Sequence, residues 1–149
     1  MDVKALSPSQ IESAIRLIWD TFLQFEAPDY SQEGVSAFRD FIQDPEMIRS
    51  LEFWGAYEEN RLKGVIATNE NRKHICCFFV AAEFHRQGIG RLLWEHLKSQ
   101  SPHNTITVNS SPYAVPIYRR LGFSATAPEQ LEDGMRYTPM KYERPNTSL

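Results

Sequence analysis

Two glycines, Gly88 and Gly90, lie where a strand-like segment gives way to an amphipathic helical pattern. The start of a helix carries unpaired N–H groups and a partial positive charge, so it attracts anions such as phosphate. Glycine has no β-carbon to hold a ligand away, and the flanking Arg86 and Arg91 offer charge-assisted hydrogen bonds. The stretch predicts a phosphate-binding loop. A plain strand-to-helix turn remains the alternative, because the third glycine of a dinucleotide fingerprint and the Gly-Lys-Ser/Thr of a P-loop are both missing.

The chain also has two cysteines and four histidines, whose spacing could indicate a disulfide, a nucleophile or a metal site. Cys76 and Cys77 are adjacent, and because side chains alternate across a strand, we expect them to face opposite ways and not to pair. A thiol nucleophile is conceivable, but a mid-strand position offers no paired base, so we expect two small buried side chains. The histidines, at positions 74, 85, 96 and 103, lack a metal-ligand spacing, and we expect no metal site.

Length and composition limit the class of protein. A chain of 149 residues is long enough for one domain with a core and too short for two, so we expect a single domain over 1–149. The N-terminus lacks a secretion signal and no apolar run is long enough to span a membrane, which predicts a cytoplasmic protein. A net charge of −3 gives no basic footprint for nucleic acid, and a small or cationic partner fits better.

The first half of the chain predicts two helices before any strand. Ser7, Pro8 and Gln10 form the pattern of a capping box with proline at the first helical position, and apolar residues at helical spacing continue to about Phe25. A second short helix follows in the stretch EGVSAFRDFIQ. Three strands in an antiparallel meander are then predicted at about Phe53–Glu58, Leu62–Thr68 and His74–Ala81.

The second half predicts a crossover followed by a last strand. A helix over 89–99 joins the third strand to a strand at 105–109, which is a βαβ unit and makes the sheet mixed. Another helix is expected to open at Ser111 and Pro112 and to end at Gly122, with Pro116 bending its interior. The stretch GMRYTPMKYER reads as the last strand, and PNTSL as a frayed tail.

Two motifs in this half resemble the acetyl-CoA-binding core of the GNAT superfamily of N-acetyltransferases. The family's phosphate loop reads Gln/Arg-x-x-Gly-x-Gly/Ala, and here HRQGIG runs from His85 to Gly90; its later segment typically ends in a Tyr-x-x-Leu-Gly-Phe pattern, and here YRRLGF runs from Tyr118 to Phe123. The resemblance covers about residues 75–123 and identifies a small, bacterial-type member. It implies the α/β (α+β) GNAT fold, with a mixed, mostly antiparallel central sheet flanked by helices and with strands 74–81 and 105–109 splayed apart.

The resemblance also implies a cofactor site. The splay would leave backbone groups of Phe79 and Val80 to pair with the pantetheine arm, and an N–H near Val80 to stabilise an oxyanion. Tyr118 matches the family's general acid for the departing thiolate, although a core aromatic with a capped hydroxyl is the plain alternative. His85 replaces the usual Gln or Arg, and Ser111 replaces a frequent Asn for which Asn109 is a possible substitute. The implied cofactor-binding residues are Phe79, Val80, His85, Arg86, Gln87, Gly88, Ile89, Gly90, Arg91, Asn109 and Ser111.

The acceptor side is less determined by the sequence. The segment FEAPDYSQEG breaks the first helix where this fold often builds its acceptor pocket, and we expect Phe25, Glu26 and Tyr30 to line it. Asp29, Glu33 and Trp54 are further candidates. Solvated surface charge and core packing are the alternatives for each of them, and no general base is singled out.

The function implied is transfer of the acetyl group of acetyl-CoA to a primary amine, by direct attack in a ternary complex and without a metal. A same-fold enzyme using another acyl-CoA and a non-catalytic CoA-binding or regulatory module remain alternatives. We expect a small-molecule or peptide amine as substrate, no nucleic-acid or membrane partner, and a monomer or a homodimer.

Overall fold

The computed structural model describes residues 1–145, and within them eight strands form a mixed sheet with helices on both faces. The strand order is β1-β2-β3-β4-β5-β8-β6, with β7 paired to β8. Neighbours are antiparallel except β4 and β5, which confirms the predicted architecture. The strands are β1 Asp2–Ala5, β2 Glu52–Glu58, β3 Arg61–Asn69, β4 His74–Val80, β5 Thr105–Ser110, β6 Ser124–Ala125, β7 Gln130–Glu132 and β8 Met135–Glu143; the helices are α1 Pro8–Phe25, α2 Gln32–Gln43, α3 Pro45–Ser50, α4 Ile89–Gln100 and α5 Val115–Arg120.

The core consists of two apolar layers, one on each face of the sheet. Because side chains alternate along a strand, Trp54 and Ile66 face α4, whereas their neighbours Phe53 and Val65 face α1 and α2. On the α1 side the Phe22 ring stacks on Phe38, with ring centroids 4.1 Å apart. The two layers hold the strands on which the candidate site is built.

The first helix begins as predicted. The Ser7 N–H donates to the Gln10 side-chain oxygen at 2.9 Å, and Pro8 occupies a first-turn position where no backbone donor is needed. The helix ends at Phe25, where the Glu26 N–H closes the last turn on the Phe22 carbonyl. This end of α1 brings Phe25 and Glu26 to the middle of the sheet.

Several short elements differ from the sequence prediction. The strand β1 precedes the helices, so the expectation of two helices before any strand is wrong; its four residues hold their place by pairing with β2. The helix α3 and the strands β6 and β7 are also additional. The predicted frayed tail begins at Pro145, and its remaining residues, 146–149, lie outside the described part of the chain.

The helix α5 starts later than its sequence predicts. Residues 112–114 form a turn, in which the Ser111 hydroxyl accepts from the Ala114 N–H at 3.2 Å, and the helix begins at Val115. Pro116 therefore lies in the first turn, where its missing N–H costs no hydrogen bond, and the predicted bend is wrong. Gly122 follows the helix with φ of 104°, as the prediction of a glycine terminator requires.

The two cysteines do not face opposite ways. Ala67 pairs with Cys77 and Thr68 pairs with Ile75, so Cys76 is an extra residue at a β-bulge. The bulge interrupts the alternation, and both side chains lie in the apolar layer that faces α1 and α2. Both thiols are free, as predicted, and burial raises the pKa of Cys76 to about 11 and that of Cys77 well above its ordinary value. Neither group is a ready nucleophile.

Candidate active site

The central feature of the site is a splay between β4 and β5. The two parallel strands pair only at His74 with Thr107 and at Ile75 with Val108, after which they diverge. This confirms the predicted splay. Two cavities open there, one of about 630 Å³ beside the start of α4 and one of about 480 Å³ beside α2. The residues that line both cavities are Glu26, Phe78, Phe79, Ala114 and Tyr118.

The glycine loop forms one end of the larger cavity, which we call the donor cavity. Gly88 caps α4 with φ of 82°, and a β-carbon there would meet nothing within 4 Å, so this backbone borders open space. The first backbone bond of the helix runs from the Leu92 N–H to the Gly88 carbonyl, which leaves the preceding N–H groups available. The geometry fits a phosphate group.

The side chains of the loop differ in their exposure to solvent. Arg86 and Gln87 are exposed, and Arg86 has φ of 65°. The Ile89 side chain is buried in the core, so only its backbone faces the cavity. The Arg91 guanidinium lies 3.7 Å from the Glu95 carboxylate along the helix.

The register of β4 decides which backbone groups face the splay. The Ala81 N–H donates to the Lys63 carbonyl. In an antiparallel ladder, residues that are hydrogen-bonded to the neighbouring strand alternate with residues whose N–H and C=O groups point away from it. Phe79 is therefore hydrogen-bonded to β3, whereas Phe78 and Val80 direct their N–H and C=O groups into the splay. The backbone of Phe79, which was expected to be open to the pantetheine arm, is therefore engaged with β3, and Phe79 lines both cavities.

An aromatic bridge crosses the donor cavity. The His85 Nε2 donates to the Val80 carbonyl at 2.7 Å. The centroid of the Phe25 ring lies 4.8 Å from that of the His85 ring and 5.2 Å from that of the Tyr113 ring. Phe25, which was expected in the acceptor pocket, lines only the donor cavity. Tyr113 was not predicted, because only the turn before α5 brings it opposite the end of α1.

Tyr118 lies at the junction of the cavities and is 5% exposed. Its ring meets Phe78 edge-on with centroids 5.9 Å apart, and no hydrogen bond to its hydroxyl forms within residues 1–145. Burial, followed by the charge of Glu26, raises the pKa of Tyr118 well above its ordinary value. The hydroxyl therefore keeps its proton at neutral pH.

Glu26 is the half-buried carboxylate at the same junction. Burial raises its pKa to about 7; the nearby Ser111 hydroxyl acts in the opposite direction, and the charge of Asp29 adds to the rise. No cationic side chain in the described part of the chain forms an ion pair with it. A carboxylate with a pKa near neutrality beside a cavity has the properties of a general base.

The smaller cavity, which we call the acceptor cavity, receives the remaining predicted residues. Tyr30 lines it, and burial raises the Tyr30 pKa above its ordinary value. Asn109 and Ser111, expected to contact the cofactor, line this cavity instead. Asp29, Glu33 and Trp54 line neither cavity, and Trp54 is packed in the core on the α4 side.

Two further classes of site are absent from residues 1–145. No cluster of three His, Cys, Asp or Glu side chains is placed to hold a metal ion. No helix there has the length and apolar character that crossing a bilayer requires.

Comparison with known proteins decides the family. The model of the acetyltransferase (GNAT) domain matches residues 26–144. The chain belongs to the GNAT acetyltransferase family. Among curated proteins, this GNAT chain is similar to the peptidyl-lysine N-acetyltransferase YjaB of Salmonella typhimurium, with 32% identity over 62 residues. That match spans 41% of the chain and 43% of YjaB, so it covers less than half of either protein.

Solved structures share the whole GNAT architecture. A GCN5-related N-acetyltransferase from Rhodopseudomonas palustris superposes with a TM-score of 0.82 at 17% identity, over 95% of this chain and 94% of that one. The PaiA N-acetyltransferase from Thermoplasma acidophilum, solved in complex with coenzyme A, gives a TM-score of 0.71 at 19% identity, over 96% and 99%. At such identities the likeness establishes the fold.

Proposed function

We propose that this GNAT protein transfers the acetyl group of acetyl-CoA to a primary amine, with Glu26 as general base and Tyr118 as general acid. The observation that carries the proposal is the meeting of two cavities at a carboxyl group and a phenol, those of Glu26 and Tyr118. One cavity ends at the glycine loop, whose geometry fits phosphate, and the other has Glu26 in its lining and the exposed carboxylates of Glu132 and Asp133 at its border, which suits a cationic acceptor. The printed names of the relatives, which are N-acetyltransferases, support the same reaction class.

The donor cavity fits acetyl-CoA. The Gly88 backbone and the free N–H groups of Gly90 and Arg91 would hold the pyrophosphate, and the backbone of Phe78 and Val80 would pair with the pantetheine arm. When bound, acetyl-CoA supplies an acetyl group activated as a thioester.

Glu26 performs the first proton transfer. An amine enters as a cation but attacks only when neutral, so its proton must be removed, directly or through water. With a pKa of about 7, Glu26 is largely ionised at slightly alkaline pH and still basic enough to accept that proton. Such a base contributes roughly 10²–10⁴-fold in rate.

Tyr118 and Val80 perform the remaining tasks. The Val80 N–H faces the splay, where it is available to an oxygen that gains negative charge; a donor of this kind contributes about 10²–10³-fold. Tyr118 retains its proton at neutral pH and delivers it to the departing thiolate. Its place at the junction of both cavities gives it access to each reactant.

The first test is a calorimetric titration of coenzyme A and acetyl-CoA into the purified protein. We expect binding that Gly88→Glu abolishes, because the new side chain places bulk and negative charge where phosphate would lie. Glu12→Gln, on the exposed side of α1, is the matched control and should bind as the parent protein does. Retained affinity in Gly88→Glu would show that the loop does not hold the phosphate.

The second test follows thiol release with primary amines as acceptors. Release that depends on both acetyl-CoA and amine supports the proposal, and faster release from a longer acyl-CoA would favour an enzyme of another acyl group. Tight binding of coenzyme A without any turnover would favour a non-catalytic CoA-binding module.

A further inference from the structure

Resting on the proposed function, we propose that the acceptor is a primary amine carried on an aromatic body, whose ring packs against an apolar wall that α2 and α3 present to the acceptor cavity. The substrate class is then a small arylalkyl amine and not the lysine of a peptide. The ring provides the recognition, whereas Glu26 takes the proton of the amine.

The residues that α2 and α3 contribute to the acceptor cavity are all apolar. They are Ala37, Phe38, Phe41 and Met47, which we call the α2–α3 wall. The amide side chains and serine hydroxyls of the lining belong to β3, to β5 and to the turn after β5. The cavity is therefore polar in one part and apolar in another, as is typical of sites that bind a small organic molecule.

Three aromatic rings of the lining already form a cluster. The centroid of the Phe38 ring lies 6.2 Å from that of Phe41 and 6.0 Å from that of Phe79. Phe38 and Phe79 are each 7% exposed, whereas Phe41 is half-buried, so part of its ring surface is left for a ligand. Aromatic rings attract one another when their centroids are about 4.5–7 Å apart. A ring in the acceptor would extend the cluster by one member.

Two half-buried methionines add to this apolar surface. Met47 of α3 and Met135 of β8 both line the cavity, and an unbranched thioether adapts its shape to a ligand and makes favourable contacts with ring edges. The backbone of Gly134 lies directly against α2, because a β-carbon on Gly34 would collide with the Gly134 carbonyl oxygen. This contact holds the neighbouring Met135 beside α2.

The cavity has room for such an acceptor. Its volume is about 480 Å³, and an apolar cavity of about 150 Å³ already holds a benzene molecule. Glu26 lies at the junction with the donor cavity, and its charge contributes to the raised pKa of Tyr30, which places the Tyr30 side chain near the carboxylate. The amine can therefore lie at Glu26 while the ring lies on the α2–α3 wall.

Other primary amines match the α2–α3 wall less well. A small alkylamine would leave the wall in contact with water, and a lysine would bring the polar peptide groups of its own chain to it. Those groups would lose water there without gaining a hydrogen bond, because no side chain of the wall carries a donor or an acceptor. An aromatic ring instead removes apolar surface from water on both partners.

The test compares primary amines that differ in the group beyond the reacting nitrogen. Thiol release from acetyl-CoA is measured with benzylamine, phenethylamine and phenylpropylamine, each against the alkylamine that lacks the ring, and with the amide of Nα-acetyl-lysine. After correction for the neutral fraction of each amine, we expect kcat/KM for the best arylalkyl amine to exceed that of its alkylamine, and that of the lysine amide, by about tenfold to a hundredfold, as burial of a phenyl group provides.

Variants then assign the preference to the α2–α3 wall. Ala37→Leu fills space beside the wall and should lower kcat/KM for the arylalkyl amine far more than for the alkylamine. Met47→Ala should lower the ratio of the two by about twofold to tenfold. Ile48→Ala is the matched control, because Ile48 is the next residue of α3 and lines neither cavity, and it should keep the ratio of the parent protein. A loss of stability alone would slow both acceptors alike; if Ala37→Leu does not fold, Met47→Ala provides the test.

Two results would overturn this substrate class, and they are distinguishable. If alkylamines or the lysine amide are acetylated as well as the best arylalkyl amine, or if Ala37→Leu and Met47→Ala both keep the preference, the α2–α3 wall does not select the acceptor and the proposed function stands. If no amine is acetylated by protein that binds coenzyme A, the substrate class and the proposed function both fail.

Discussion

Replacing Glu26 by Gln should stabilise the folded protein at alkaline pH while it removes most of the turnover. Burial raises the pKa of this carboxyl from its ordinary 4.5 to about 7. The folded state therefore binds the proton more tightly than the unfolded chain does. Stability is greatest below the unfolded pKa, falls as the pH rises from 4.5 to about 7, and levels off above that.

The magnitude follows from the same pKa. The difference corresponds to roughly 3 kcal/mol of folding free energy that ionised Glu26 costs above neutrality. Glutamine has nearly the same shape and no charge, so it avoids this cost. The Glu26→Gln substitution is expected to raise stability by up to about 3 kcal/mol near pH 8, or roughly 6–12 °C in Tm for a chain of this size, and by little near pH 4.5.

The assay is urea denaturation of both proteins at about pH 5 and about pH 8, where the gain should grow with pH. In parallel, kcat/KM of the parent protein should rise with pH through an apparent pKa of about 7, and Glu26→Gln should lose this limb together with about 10²-fold or more in rate. Glu12→Gln on the same helix controls for removal of a surface carboxylate. An equal stability change at both pH values, or a retained acidic limb, would refute the role given to Glu26.

Two other substitutions test the donor side. Tyr118→Phe should lower kcat by about 10²-fold or more and leave the affinity for coenzyme A nearly unchanged by calorimetry, because the substitution removes only the hydroxyl group that donates the proton; an unaltered rate would exclude Tyr118 as the acid. His85→Ala should bind coenzyme A more tightly, by about threefold to tenfold, because the Val80 carbonyl no longer has its hydrogen bond from His85 in the free protein. Weaker binding would instead indicate that His85 contacts the cofactor, as the family motif implies.

The sequence predicts the motif-bearing half of the fold well, for local reasons. Gly88 and the amphipathic pattern of α4 lie next to each other in the chain, so a short window contains both the loop and the helix it caps. The strand β1 could not be predicted in this way, because its pairing partner β2 is far along the chain. Cys76 shows the same limit: the bulge depends on the register with β3, which no pattern within β4 reveals.

The candidate site shows the same difference between local patterns, which the sequence reveals, and contacts between distant segments, which it does not. The motifs point to Tyr118 and the glycine loop. The sequence suggests Glu26 for the acceptor side but not as the proposed base, because its pKa depends on burial by distant parts of the chain. Glu132 and Asp133 look like ordinary surface acids in the sequence. In the structure they are indeed exposed, and they border the acceptor cavity because Gly134 of their hairpin lies against Gly34 of α2.

The splay also makes the sheet two separate hydrogen-bonded ladders. One comprises β1 to β4, the other comprises β5 to β8, and within residues 1–145 the ladders join at the two residue pairs between β4 and β5. A seam this short transmits little cooperativity through the backbone, so the packing of α4 and of the apolar layers must couple the halves. A molecule lying in the splay touches both ladders, and its departure should let them fluctuate more independently.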